Sequence, residues 1–214
     1  MFFLTDKLEF PPAQSASPEG IVAVGGDLSP ERILLAYKKG IFPWFEDDAL
    51  ILWWSPDPRM VLFPQKLKIS SSMQRILKKR VFTITYNRCF DEVIENCAQI
   101  SRKDQSGTWI TREMIKSFKE LHKLGHAISV EVWQNEKLVG GLYGIDLGSV
   151  FCGESMFSKV NNASKAGFIW LVQKLERKQY RLIDCQVYTP HLASFGAENI
   201  SRKAFLNILQ GKDK

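Results

Sequence analysis

Residues 138–158 read L-V-G-G-L-Y-G-I-D-L-G-S-V-F-C-G-E-S-M-F-S. Two short apolar runs meet at Leu147-Gly148, a turn-forming pair, so the stretch is expected to be a β-hairpin. Glycines at 140, 141, 144 and 153 fall inside the strand-like runs. An interior glycine weakens a strand, and it often marks a bulge or the close approach of a ligand or a second backbone. One acid, Glu154, sits in the second run. Strand alternation puts it on the face of Val150, Cys152 and Met156, a costly place for a carboxylate without a partner. Two readings stay open from this stretch alone. Either the sheet is tightly packed and Glu154 turns to solvent at a strand end, or a ligand comes close and the acid serves it.

Outward from the hairpin the pattern is strand, helix, helix, strands, helix, strand. Ile128, Val130 and Val132 alternate as a strand, joined to the hairpin by the polar turn Q-N-E-K. Upstream, V-F-T-I-T-Y (81–86) reads as a strand. Phe90, Val93, Ile94 and Cys97 mark a helix starting near Asn87, and Thr111 caps a second helix that Gly125 ends. Downstream, Phe168, Leu171, Val172 and Leu175 define a helix after N-N-A-S-K. A strand R-L-I-D-C-Q-V-Y follows, then a last helix over about 201–209. This order is not the strict alternation of a doubly wound sheet. It predicts an α/β (α+β) fold with a sheet of mixed direction.

The first sixty residues differ in kind. Residues 10–20 are rich in Pro, Ser and Gly and read as an extended lead-in. Ser29 as N-cap, Pro30 in the first turn and Gly40 past the end predict a helix over 30–39. Trp44, Trp53 and Trp54 make a small core or line an apolar pocket. Pro56 and Pro58 make S-P-D-P-R a rigid connector. A small N-terminal α/β domain is therefore expected over 1–62 and a second domain over 63–214.

Bulk properties narrow the function. A chain of 214 residues suits one or two domains with a real core. No apolar run approaches the ~18 residues of a membrane helix, and the N-terminus is a poor signal peptide. Cys89, Cys97, Cys152 and Cys185 contain no C-x-x-C pair, so reduced buried thiols are expected rather than disulfides or a structural metal site. The chain reads as cytoplasmic and monomeric. Motifs for phosphate-loop nucleotide hydrolysis, a G-x-S-x-G nucleophile and an H-E-x-x-H metal site are all missing. An enzyme built from these parts needs a substrate that arrives already activated.

The net charge of +6 is unevenly placed. Between Asp57 and Asp91 there is no acid, while Arg59, Lys66, Lys68, Arg75, Lys78, Lys79, Arg80 and Arg88 all fall there. Such a block is either a solvated basic face or a surface for a polyanion. Residues 70–80 form a capped amphipathic helix on which Arg75, Lys78 and Lys79 share one face, a spacing suited to a phosphate backbone. In L-I-D-C-Q-V, Asp184 and Gln186 project from one face of a strand. Gln186 is expected to donate its side-chain amide to Asp184, which leaves its carbonyl to accept from a third group. A strand with one polar face has the same pattern.

Taken together, G-G-D-L-S-P-E-R (25–32), G-I-F-P-W-F (40–45), W-W-S-P-D-P-R (53–59), T-W-I-T (108–111), L-V-G-G-L-Y-G (138–144), F-C-G-E-S-M-F-S (151–158), N-A-S-K (162–165) and L-I-D-C-Q (182–186) resemble the bacterial leucyl/phenylalanyl-tRNA–protein transferases. The resemblance runs in order along nearly the whole chain. It implies an N-acetyltransferase-like (GNAT) second domain. It also implies transfer of Leu or Phe, and less well Met, from aminoacyl-tRNA to proteins beginning with Arg or Lys, marking them for the N-degron pathway. The family's aminoacyl pocket corresponds to Trp44, Leu142, Phe151, Leu171 and Ile183. Relatives often carry Met at the position of Leu142 and Phe at that of Leu171, so a pocket of different width is implied. The basic helix becomes the tRNA contact through Arg75, Lys78 and Lys79. Asp184 and Gln186 are assigned to catalysis, with Glu154 reading the cationic first residue of the acceptor. No cofactor is expected, because an aminoacyl ester needs neither ATP nor coenzyme A, and the coenzyme A loop [RQ]-x-x-G-x-[GA] is missing. A coenzyme A-dependent N-acetyltransferase and a non-enzymatic RNA-binding module are the competing readings. The first lacks its loop, and the second leaves Glu154 and D-C-Q without a task.

Overall fold

A computed structural model describes residues 2–45, 49–100 and 110–212. The chain opens with β1 (Phe2–Leu4), β2 (Ile21–Gly25), α1 (Pro30–Lys38), β3 (Phe42–Pro43) and β4 (Leu52–Trp54). These strands form a small sheet in the order β1-β2-β4-β3. Ser29 caps α1 through the Arg32 N–H with Pro30 in the first turn, as the capping pattern requires.

After the Pro-rich connector, β5 (Arg59–Leu62) enters a different sheet. The sequence assigned this segment to the end of the N-terminal unit; its backbone instead pairs with the larger one. Next come α2 (Ser71–Lys78), β6 (Thr83–Tyr86), α3 (Phe90–Gln99), α4 (Arg112–Lys123), β7 (Ala127–Gln134), β8 (Lys137–Asp146) and β9 (Val150–Ser158). The chain continues through α5 (Ala163–Arg177), β10 (Leu182–Gln186), α6 (Pro190–Ala193), β11 (Glu198–Ile200) and α7 (Arg202–Leu209). The larger sheet has the order β11-β5-β10-β9-β8-β7-β6, with β9 and β10 parallel and the other pairs antiparallel. The fold is thus mixed α/β, as the element order predicted.

Ser70, Thr111 and Ser201 cap α2, α4 and α7 with their hydroxyls. The helix expected from Asn87 starts at Phe90 instead, because Asn87 takes a left-handed φ of 56° and donates no helical turn. The hairpin turns at Gly148, whose φ is 83°, and Asp146 accepts its N–H. Apolar residues pack on both faces of the large sheet. One core joins α3, α4 and the small sheet; the other joins α2 and α5 through Met73, Ile76, Phe168 and Leu171. All four cysteines are free thiols. Among the described residues no helix is long and apolar enough to cross a membrane.

Candidate active site

Parallel strands β9 and β10 pair over 150–152 and 182–184 and then separate. Two bulges drive them apart. On β9, Gly144 of β8 faces Gly153 while Tyr143 faces Ser155, so Glu154 is an extra residue without a cross-strand partner. Gly144 is needed there: a Cβ would lie 2.2 Å from the Cys152 carbonyl oxygen. On β10 the register against β5 jumps between Asp184 and Gln186. Alternation therefore breaks at Glu154. Val150 and Cys152 belong to one core and Met156 packs against the other, so the single face assigned to all three does not exist.

The gap between the strands holds a cavity of about 520 Å³, within the range that takes a small organic group. Its walls include Phe42 and Trp44 from the small sheet side, Leu142 and Phe151 from the hairpin, and Ile183 from β10. Glu154, Asp184 and Gln186 lie on the same cavity. Leu171 does not reach the wall. It is fully buried on α5, in the core that backs Leu142 and Phe151. Trp44 is 39% exposed at the rim, its carbonyl held by the Trp54 indole N–H at 2.6 Å.

The polar contacts differ from the expected ones. Asp184 does not receive the Gln186 side chain. Its two oxygens accept Arg59 Nε at 2.8 Å and Nη2 at 2.7 Å, and Oδ1 also accepts the Gln186 backbone N–H at 2.9 Å. The Gln186 side-chain amide instead donates to Glu154 Oε1 at 3.0 Å, leaving its carbonyl oxygen as an acceptor. Gln186 also has a left-handed φ of 63°. Non-glycine residues take that conformation only where the surroundings hold them.

Glu154 is half-buried, with an edge on the cavity. Burial pushes its pKa up to about 8; the Tyr37 hydroxyl beside it, the Gln186 amide and Arg59 oppose the rise, and Asp184 adds to it. Tyr37 comes from α1, and its buried hydroxyl adjoins the Glu154 carboxyl without a well-formed hydrogen bond. Sequence reading missed both Tyr37 and Arg59. A faint signal existed for Arg59, a lone cation closing a rigid Pro-rich connector next to two tryptophans.

The basic block is smaller than its sequence count. Arg59 is 1% exposed and paired with Asp184, and Lys66 pairs with Glu198; neither adds to a polyanion surface. Arg75, Lys78 and Lys79 remain exposed on α2, and the ion pairs among the described residues do not include them. The apolar side of α2 packs on the core that also supplies Leu142, Phe151 and Ile183 to the cavity. Thr108 and Trp109 of T-W-I-T lie outside the described residues. Among the described residues no cluster of three His, Cys, Asp or Glu side chains could hold a metal.

Comparison with known proteins places this geometry in context. Residues 61–210 match the family described as leucyl/phenylalanyl-tRNA protein transferase, and residues 26–57 match that family's N-terminal domain. The leucyl/phenylalanyl-tRNA–protein transferase of Flavobacterium johnsoniae is 60% identical over 212 residues, covering 99% of this chain and 100% of the relative. That of Flavobacterium psychrophilum is 55% identical over 210 residues, covering 98% and 100%. A GCN5-related N-acetyltransferase from Kribbella flavida overlaps with a TM-score of 0.37 at 10% identity, over 78% of this chain and 60% of that one. So weak an overlap carries no argument, and the splayed β9–β10 pair rests on the strand registers alone.

Proposed function

The chain belongs to the leucyl/phenylalanyl-tRNA protein transferase family, an aminoacyltransferase family acting on aminoacyl-tRNA and a protein acceptor, and from that premise we propose its particular substrates and the task of each site residue. It moves Leu or Phe, and Met less well, to proteins that begin with Arg or Lys, marking them for N-degron degradation. The observation that carries this reading is one cavity whose lining combines apolar side chains with Glu154 and Gln186. An apolar side chain and a cationic chain terminus are the two groups such a cavity suits.

The aminoacyl side chain lies against Trp44, Leu142, Phe151 and Ile183, with Leu171 setting the wall from behind. A pocket of this kind separates ligands by only ~1–3 kcal/mol per methylene, so leakage to Met is expected. The acceptor's α-amine attacks the ester carbonyl. A C–N bond forms, the C–O bond to the tRNA 3′ end breaks, and the amine's proton is passed on to the departing 3′-oxygen. Peptide amines have a pKa near ~8, so a useful fraction is neutral at pH 7 and no strong base is required. The carbonyl of Gln186 orients the amine. Positioning then supplies most of the rate.

Glu154 reads the cationic side chain of the acceptor's first residue. Once ionised, the carboxylate attracts a cation ~4 Å away by about 4 kcal/mol at an effective dielectric of 20, more than the ~1.4 kcal/mol that ionising a group of pKa about 8 costs at pH 7, which is enough to prefer Arg or Lys. Arg75, Lys78 and Lys79 hold the tRNA backbone. Charge reversal at Arg75 and Lys78 should raise KM for aminoacyl-tRNA and reduce the steepness of its log–log salt dependence by about 1 per lost phosphate contact. An unchanged salt slope would remove α2 from the interface. The test of the function is labelled Leu-tRNA offered with an Arg-initiated and a Glu-initiated peptide. Label in the Arg-initiated peptide alone supports it, and label in neither overturns it.

A further inference from the structure

Arg59 closes the S-P-D-P-R connector, and its guanidinium ends up inside the protein. Its carbon stands 4.7 Å from the Phe42 ring centre and 4.6 Å from that of Phe205, so the planar group is clamped between two aromatic faces. Nε and Nη2 hold both oxygens of Asp184. Nη1 is buried without a hydrogen-bond partner among the described residues.

As a stabilising device this is a poor one. Burial strips both ions of water, the unmet donor adds to the cost, and an apolar pair of equal volume is often no less stable. The pair does have a consequence at the cavity. Asp184 Oδ1 also takes the Gln186 N–H, and Gln186 is the residue held at a φ of 63°. A left-handed glutamine between two bulged strands needs something rigid behind it. The clamp supplies that rigidity from two elements, since Phe42 is on β3 and Phe205 on α7.

We propose that Arg59 is a positioning residue for the transfer reaction: it fixes Asp184, and through Asp184 the backbone of Gln186, so that the Gln186 carbonyl meets the attacking amine. This rests on the aminoacyl-transfer reading above and deepens it. Asp184 is an anchor with both oxygens engaged, not the acceptor of the amine's proton.

The test is steady-state kinetics with Leu-tRNA and an Arg-initiated peptide. Arg59→Lys keeps the cation but loses the two-pronged fork. It should lower kcat at least about tenfold while both KM values stay within about twofold. Arg59→Lys combined with Asp184→Asn should be no slower than Asp184→Asn alone, since both act through one path. Fewer aminoacyl-tRNA sites per molecule with an unchanged rate per site would instead mark a folding defect and overturn the proposal. So would an undiminished kcat, or a double variant slower by the full Arg59→Lys factor. If Arg59→Lys does not fold, Phe205→Leu removes one side of the clamp and is read the same way: lower kcat at constant KM supports the proposal, unchanged kcat overturns it. Transfer by the unsubstituted protein and by Arg59→Lys alike would sink this inference alone. No transfer by the unsubstituted protein would sink the functional reading with it.

Discussion

Two glutamates lie two strands apart in the large sheet, Glu131 on β7 and Glu154 on β9, and they lead opposite lives. Glu131 is fully buried. It accepts from the Thr85 hydroxyl at 2.6 Å, the Ser129 hydroxyl at 2.5 Å, and the backbone N–H groups of Arg88 and Cys89 at 3.1 and 3.4 Å. Those two N–H groups lead into α3, whose N-cap, Cys89, makes no side-chain cap bond. Glu131 thus caps a helix from a neighbouring strand, and its acceptor sites are filled. Glu154 has one well-formed donor, Gln186, and an open side on the cavity. Glu154 is also the less buried of the two. Exposure and the donors already committed together separate the structural acid from the working one.

That contrast can be broken by substitution. The largest expected effect is at the open acid. Glu154→Gln should lower kcat/KM for Arg-initiated peptides by roughly a hundredfold, with little change in the aminoacyl-tRNA KM. A variant that still favours Arg-initiated over neutral peptides as strongly would count against the assignment. At the filled acid the effect moves from activity to folding. Glu131→Gln turns an amide NH2 toward buried donors and should cost about 2–4 kcal/mol of stability, seen as a Tm lower by roughly 5–10 °C for a chain this size. The kcat of the folded variant should be kept; a large fall in kcat with an unchanged Tm would erase the distinction.

The contrast also shows in the pH dependence of stability. With a folded pKa of about 8, above its unfolded value, Glu154 holds a proton in the folded state that the unfolded chain has already lost. The unfolded chain binds fewer protons from about pH 4.5 upward, so stability falls as pH rises toward 8 and then levels. Tm of Glu154→Gln should therefore gain on the unsubstituted protein between pH 5 and pH 8. A constant Tm difference across that range would show that the carboxyl is not held protonated.

Much of this architecture can be read from the chain. Ser29 and Thr111 announce two helices because capping is local, and Leu147-Gly148 announces the hairpin for the same reason. The apolar residues Leu142, Phe151 and Ile183 are singled out only by the family resemblance, since strand patterns mark them as apolar without saying what they face. The site's polar wiring cannot be read this way. Whether Glu154 faces Val150 or the cavity is decided by a register shift between β8 and β9, to which two strands contribute. The glycines at 144 and 153 hinted at a bulge but could not say which residue it would extrude. Asp184 and Arg59 are 125 residues apart, and Arg59 on paper looks like one more surface cation. Tyr37 reads as an ordinary apolar-face residue of α1 until the small sheet packs beside β9.

Proton counting tests the central claim, that Glu154 is the unfilled acid that ionises to meet a cation, most directly. Calorimetric binding of an Arg-initiated peptide at pH 7, repeated in buffers of different ionisation enthalpy, gives the protons released per complex. The unsubstituted protein should release close to one proton more than Glu154→Gln, because the arriving charge ionises a carboxyl that was protonated. Equal proton release by the two proteins would contradict the account.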